Sequence, residues 1–239
     1  MRVRLRYAKL GKVRFTSHRD VARIWERALR KAELPVALTG GFSPRPRLSF
    51  GLALPTGAES VAELLDVELA SGLDVDPDEI PARLTAVLPA GFEVTAVEVL
   101  GERGPSLQED VVATRWELTL CGVDRGVVAA AVQRALAAPT LPLERERKGE
   151  RSIDDVRPAI ESIEVLDGEP VTLVAVLATG GRGLRPHELA AVLVPELDPL
   201  DVVSRVLRTH QWIDRDGARR ELLPVGATAA AAPASAACA

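Results

Sequence analysis

Arg2-Val3-Arg4-Leu5-Arg6-Tyr7 alternates cationic and apolar side chains with a period of two, the pattern of a β-strand with one face in a core. This phase turns Val3, Leu5 and Tyr7 inward and the three arginines outward. Lys9-Leu10-Gly11-Lys12 reads as a turn, and Val13-Arg14-Phe15 as a further extended piece. From Ser17 the period becomes helical. Val21, Ile24, Trp25, Ala28, Leu29 and Ala32 fall on one side. Ser17 is placed to cap the first free amides, with Asp20 in the acidic position of an imperfect capping box, and Pro35 ends the helix. Arg19, Arg23, Arg27, Arg30 and Lys31 gather on the side away from the apolar stripe.

Working outward, Gly40-Gly41-Phe42-Ser43-Pro44-Arg45-Pro46-Arg47 combines glycines that permit unusual dihedrals with prolines that fix φ, so a shaped loop is expected, leading into an extended Leu48–Leu54 segment. Residues 61–69 read as a strand, 77–88 as a short helix and Phe92–Leu100 as a strand. The order is βαββαβ, the ferredoxin-like order, with an antiparallel sheet covered on one face by two helices. A weaker version follows: a strand at Val111–Cys121, a helix at Arg125–Ala138, extended pieces at Leu143–Lys148 and Ser152–Ile163, a strand at Val171–Ala178, a helix at Pro186–Val194 and a last segment at Val206–Ile213. The expected fold class is therefore α+β, with two ferredoxin-like units built on antiparallel sheets. The expected domains are 1–100 and 111–223, with a junction at 101–110 and a disordered tail at 224–239.

Charge is distributed unevenly. The first fifty residues hold 13 basic and 3 acidic side chains, and the other 189 hold 17 and 31, although the whole chain is only −4. At 3% aromatic content the core must be filled by Leu, Val, Ala and Ile. No run of about twenty apolar residues could span a bilayer, and the N-terminus has no leader-like apolar region, so a cytoplasmic location is expected. Cys121 and Cys238 form no CxxC pattern, which argues against a cysteine-ligated cluster or zinc site. His18, His187 and His210 lie in distant segments and share no metal-ligand motif, so no metal is expected.

Three sequence words carry a resemblance. Arg14-Phe15-Thr16-Ser17-His18-Arg19-Asp20, Arg27-Ala28-Leu29-Arg30-Lys31-Ala32 and Gly41-Phe42-Ser43-Pro44-Arg45-Pro46-Arg47-Leu48-Ser49-Phe50 together resemble the DUF2344 domain. That family comprises radical-SAM-associated proteins and also occurs fused behind a B12-binding and radical-SAM enzyme. The resemblance extends through the acidic strand around Glu63–Glu68 and loosely covers most of residues 1–210. It implies an accessory or substrate-recognition protein beside a radical-SAM enzyme. The iron–sulfur cluster, S-adenosylmethionine and cobalamin would belong to that partner, and no cofactor is expected in this chain.

The candidate binding residues are Lys12, Arg14, His18, Arg19, Arg23, Arg27, Arg30, Lys31, Gly41, Phe42, Ser43, Arg45 and Arg47. Clustered cations suit a phosphate-bearing partner such as RNA, because they speed encounter and supply salt-dependent affinity. Arginine forks also match paired phosphate oxygens. Two other readings stay open: an adaptor whose basic face meets an acidic protein, and a cofactor-independent enzyme centred on His18. The run Ser17-His18-Arg19-Asp20 invites a nucleophilic triad, but adjacent residues at a helix start already have capping roles. Arg145–Arg151 with Asp154 and Asp155 reads as an exposed charged hairpin. Gly180-Gly181-Arg182-Gly183 lacks phosphate-loop spacing.

Overall fold

The alternation at the N-terminus forms β1 (Arg2–Lys9), followed by α1 (His18–Lys31), β2 (Leu48–Phe50), β3 (Glu59–Glu68), α2 (Ile80–Thr85), β4 (Phe92–Leu100) and α3 (Leu107–Asp110). The computed structural model describes residues 1–70, 75–101, 107–147 and 149–223. The expectations for the tail at 224–239 and for most of the junction, 102–106, lie outside the described residues. β1 is antiparallel to both β3 and β4, with Leu5 opposite Leu65 and Val97. β2 pairs antiparallel with β3, Ser49 opposite Asp66.

On one face of this sheet, Val3, Leu5 and Tyr7 meet Trp25, Ala28 and Leu29 of α1 and Ile80 and Leu84 of α2. Trp25 is fully buried, its ring edge-on to Tyr7 at 4.8 Å. A core aromatic of this kind contributes about 3–5 kcal/mol against alanine.

The opposite face corrects the expectation that the β1 arginines look into solvent. Arg4 and Arg6 are buried. Arg4 forks onto Asp66, Nε to Oδ1 at 2.7 Å and Nη2 to Oδ2 at 3.0 Å, and Arg2 pairs with the same carboxylate. Arg6 donates to the carbonyls of Val61 and Leu223 and to Glu221. The period-two pattern was right, but this face is covered as well. Leu64 packs with Leu107 of α3 and Leu223, with Ala96 and Leu222 against them. A covering segment from more than 200 residues away leaves no trace in the local alternation.

Val13-Arg14-Phe15 is corrected too. Gly11–Phe15 forms a 3-10 turn rather than an extended piece. Thr16 closes it, its amide and its hydroxyl both donating to the Val13 carbonyl, at 3.0 and 2.6 Å.

The second unit comprises Val112–Trp212, whereas the chain from Ile213 groups with the first unit, Met1–Val111. Its elements are β5 (Val111–Leu120), α4 (Arg125–Ala137), β6 (Pro142–Arg147), β7 (Glu150–Asp155), β8 (Ile160–Val165), β9 (Val171–Ala178), α5 (Pro186–Leu193), α6 (Pro199–Val202) and β10 (Val203–Arg215); β11 (Ala218–Glu221) then follows. The strand order is β10-β5-β9-β8, while β6 and β7 pair only with each other. The short extended pieces expected within Ser152–Ile163 are the end of β7 and the start of β8. A 3-10 turn at Arg157–Ala159 intervenes, carrying Pro158 and fixed by the Asp155 carboxylate on the Arg157 amide.

The protein is thus a mixed α+β fold. A hairpin, β6–β7, is inserted in the second unit, and residues 213–223 group with the first.

Candidate functional site

α1 is fixed at both ends. Ser17 accepts from the Asp20 amide at 3.2 Å, and its hydroxyl donates to Asp20 Oδ2 at 2.8 Å. Ser17 and Asp20 therefore serve each other as a cap, and the serine hydroxyl is not directed to an imidazole as a triad would need. At the other end, Arg83 of α2 donates to the Ala32 carbonyl at 2.7 Å. With Val21, Trp25, Ala28 and Leu29 held in the core, Arg19, Arg23, Arg27, Arg30 and Lys31 are left exposed on the outer side. Arg30 and Lys31 also sit in the last turn, where positive charge is favoured by the helix dipole.

Part of the N-terminal charge excess is consumed internally. Arg2, Arg4 and Arg6 serve the buried network, Arg14 lies 3.6 Å from Glu59, Arg23 pairs with Asp20 and Arg47 with Glu68. Lys12, Arg19, Arg27, Arg30, Lys31 and Arg45 have no carboxylate partner among the described residues. These six cations, four on α1, are the members of the N-terminal candidate set without such a partner.

Residues 36–47 form an arm. Ala37 donates to the Glu68 carbonyl and Arg47 to the Ala37 carbonyl, at 2.8 and 2.9 Å. Higher up, Thr39 donates to the Arg45 carbonyl at 2.8 Å, and the Arg45 amide returns a bond to Thr39 Oγ1 at 3.0 Å. These bonds close a tip holding Gly40, Gly41, Phe42, Ser43 and Pro44. Gly41 has φ +114°, a conformation that calls for glycine. Gly41, Phe42, Ser43, Arg45 and Arg47 are all exposed.

α1 meets β2, the strand into which the arm leads, through His18, whose ring lies edge-on to Phe50 at 5.2 Å. Lys12 and Arg14 occupy the turn before α1, and the Arg14 guanidinium stands over the Phe15 ring at 4.7 Å. Candidate residues far apart in sequence are thus carried on a turn, a helix and an arm of one unit.

Lys9 was overlooked as part of this site. It is buried, and its ammonium donates to the carbonyls of Thr16 at 3.1 Å and Arg14 at 3.4 Å, pinning the approach to α1. Its signal was present: Lys9 continues the inward phase of Val3, Leu5 and Tyr7. Glu59 assists from β3 by accepting from the Gly11 amide at 2.6 Å. Tyr7, Lys9, His18, Phe50 and Glu63 line a pocket of about 20 Å³, room for about one water. Substrate pockets are more than tenfold larger.

A larger polar hollow, about 570 Å³, lies in the second unit beside the β6–β7 hairpin. Arg145 is its anchor, forked onto Glu188 at 3.0 and 2.7 Å and bonded to Asp154 and the Gly183 carbonyl. The Glu188 hydrogen bond holds Arg145 above its ordinary pKa. Burial opposes ionisation of Asp154, but the hydrogen bonds and charges of Arg145 and Arg182 outweigh it and hold that carboxyl below its ordinary value. These pairs bind the hairpin to the start of α5. Among the described residues, no group of three or more His, Cys, Asp or Glu could hold a metal ion.

The family model described as "Uncharacterized protein conserved in bacteria (DUF2344)" matches residues 2–186, more than half of the chain. The chain belongs to the DUF2344 family. The matched span of this DUF2344 protein takes in the Lys12–Arg14 turn, α1 and the arm. Comparison with curated proteins gave no match. Among solved structures, the crystal structure of a Cbf5-Nop10-Gar1 complex aligns with a TM-score of 0.49 at 11% identity, over 87% of this chain and 48% of that chain. The DUF2344 chain thus spans about half the length of that solved chain, and the likeness carries neither function nor partner across. No helix among the described residues is long and apolar enough to cross a membrane.

Proposed function

We propose that this DUF2344 protein is a cytoplasmic accessory or substrate-recognition module for a radical-SAM enzyme, and that it grips RNA or a comparable polyanion. The iron–sulfur cluster, S-adenosylmethionine and cobalamin would reside in the partner, and this chain would be non-catalytic by itself. The observation that carries the binding half is the set of exposed cations without carboxylate partners on α1 and the arm. Several cations in a row engage a repeating phosphate backbone and release its counterions, which yields affinity that falls steeply with salt. The enzyme half rests on the family's resemblance alone. We read each unit as a βαββαβ sandwich, the first as the platform that displays α1 and the second as a scaffold with an inserted hairpin.

The test uses nuclease-treated protein, titrated with fluorescent structured RNA and separately with the candidate radical-SAM enzyme, at several salt concentrations. RNA binding that weakens with salt, and is lost in a folded Arg27→Glu, Arg30→Glu double variant, is the expected result. Binding to the enzyme alone, with no RNA binding at low salt, would replace the polyanion reading by that of a protein adaptor.

A further inference from the structure

Phe42 is the one large apolar side chain among the described residues that is completely exposed, at 110% of its reference area. A phenylalanine in that position loses hydrophobic free energy unless something covers it. Its backbone is nevertheless well constrained. The paired bonds between Thr39 and Arg45 close the tip below it, and the Ala37, Arg47 and Glu68 backbone bonds hold the arm to β3. A Cβ added at Gly40 or Gly41 would meet nothing within 4 Å, so this part of the tip stands clear of the described chain around it.

Its neighbours indicate what would cover it. A protein-docking patch is a contiguous apolar area of several hundred Å². Phe42 is instead flanked by Gly40, Gly41, Ser43 and Pro44, with Leu38 half exposed lower on the arm. Three residues on, Arg45 is exposed and has no carboxylate partner. A π face and an exposed guanidinium three residues apart on one tip match the two halves of a nucleotide, a flat base and a phosphate.

We infer that Phe42 is a stacking post for a single unpaired base, with Arg45 at the adjoining phosphate, so that the arm favours single-stranded or looped RNA over duplex. This deepens the polyanion reading and rests on it. A duplex hides its base faces in its own stack, whereas unpaired nucleotides offer theirs. With one exposed aromatic on the arm, the post takes one base and leaves the run of sequence unread.

The experiment compares a short single-stranded RNA carrying one 2-aminopurine with the blunt duplex of the same sequence. Wild-type protein, Phe42→Leu and Phe42→Tyr are titrated against both. Leucine keeps an apolar side chain but removes the π face, and the exposed tip gives little reason for the fold to suffer. Phe42→Leu should weaken single-strand binding by roughly 5- to 150-fold, and the change in 2-aminopurine fluorescence should vanish. Duplex affinity should stay unchanged, and Phe42→Tyr should retain wild-type behaviour. Single-strand binding by Phe42→Leu at wild-type strength, or equal losses for both RNAs, would overturn the stacking post and leave the cationic reading standing. Failure of the wild type to bind either RNA at low salt would overturn both.

Discussion

Arg4 and Asp66 stand directly opposite each other on β1 and β3 and join through two parallel hydrogen bonds, with both residues buried. Arg2 shares the same carboxylate. One acidic side chain therefore compensates two of the arginines that make the N-terminal segment look so basic. The distinction between arginines that build the first unit and arginines that face outward follows from this pair.

Asp66→Asn would leave two guanidiniums facing a neutral amide, one of them buried. Breaking a buried ion pair from one side typically destabilises by about 3–5 kcal/mol. Chemical denaturation should show a loss in that range. By contrast, Arg30→Ala on the exposed face of α1 should change stability by less than about 0.5 kcal/mol.

Gly91 couples the start of β4 to the turn before α1. It has φ +98°, its carbonyl accepts from the Leu10 amide at 2.8 Å, and an added Cβ would fall 2.4 Å from the Leu10 carbonyl oxygen and 2.8 Å from Val13. Gly91→Ala should therefore destabilise by at least about 1–3 kcal/mol from backbone strain alone. Amide exchange at Leu10 should quicken in the variant. Gly101→Ala, where a Cβ meets nothing within 4 Å, is the control and should be near neutral.

Much of this was legible in the sequence. The period of 3.6 from Val21 to Ala32 gave α1 and its cationic side, because that helix has one buried face and one exposed face. Phe92–Leu100 and Val171–Ala178 were bounded correctly because Gly91 and the residues around Pro170 interrupt the chain beside them. The fate of Arg4 and Arg6 was hidden, since Arg4 depends on Asp66 and Arg6 on Glu221 and Leu223, which no local window contains. Lys9 was readable in phase, but its partners come from a 3-10 turn whose closure needed Thr16. Phe42 was visible as a candidate, whereas its complete exposure follows from backbone pairing between Thr39 and Arg45.

His187 at the start of α5 gives a pH signature in the second unit. Burial holds its imidazole below the ordinary value of 6.5. Below that pH the unfolded chain binds the proton more readily than the folded one, so stability falls as pH drops from 6.5 through the folded pKa. His187→Gln should flatten this part of the stability–pH curve, measured by denaturant midpoints across the range. An unchanged curve would show that another group carries the dependence.

If the outward cations of α1 meet a phosphate backbone, the salt dependence of binding shows it. Folded, nuclease-treated wild-type protein and the Arg27→Glu, Arg30→Glu double variant are titrated with single-stranded RNA over a series of salt concentrations. For the wild type, the logarithm of the binding constant should fall linearly with the logarithm of salt, at about 0.7 per phosphate contact. The variant should bind more weakly, with a slope shallower by about 1.4, the share of two contacts. Wild-type affinity that does not respond to salt, or a variant with the same affinity and slope, would rule out phosphate contacts by this helix face.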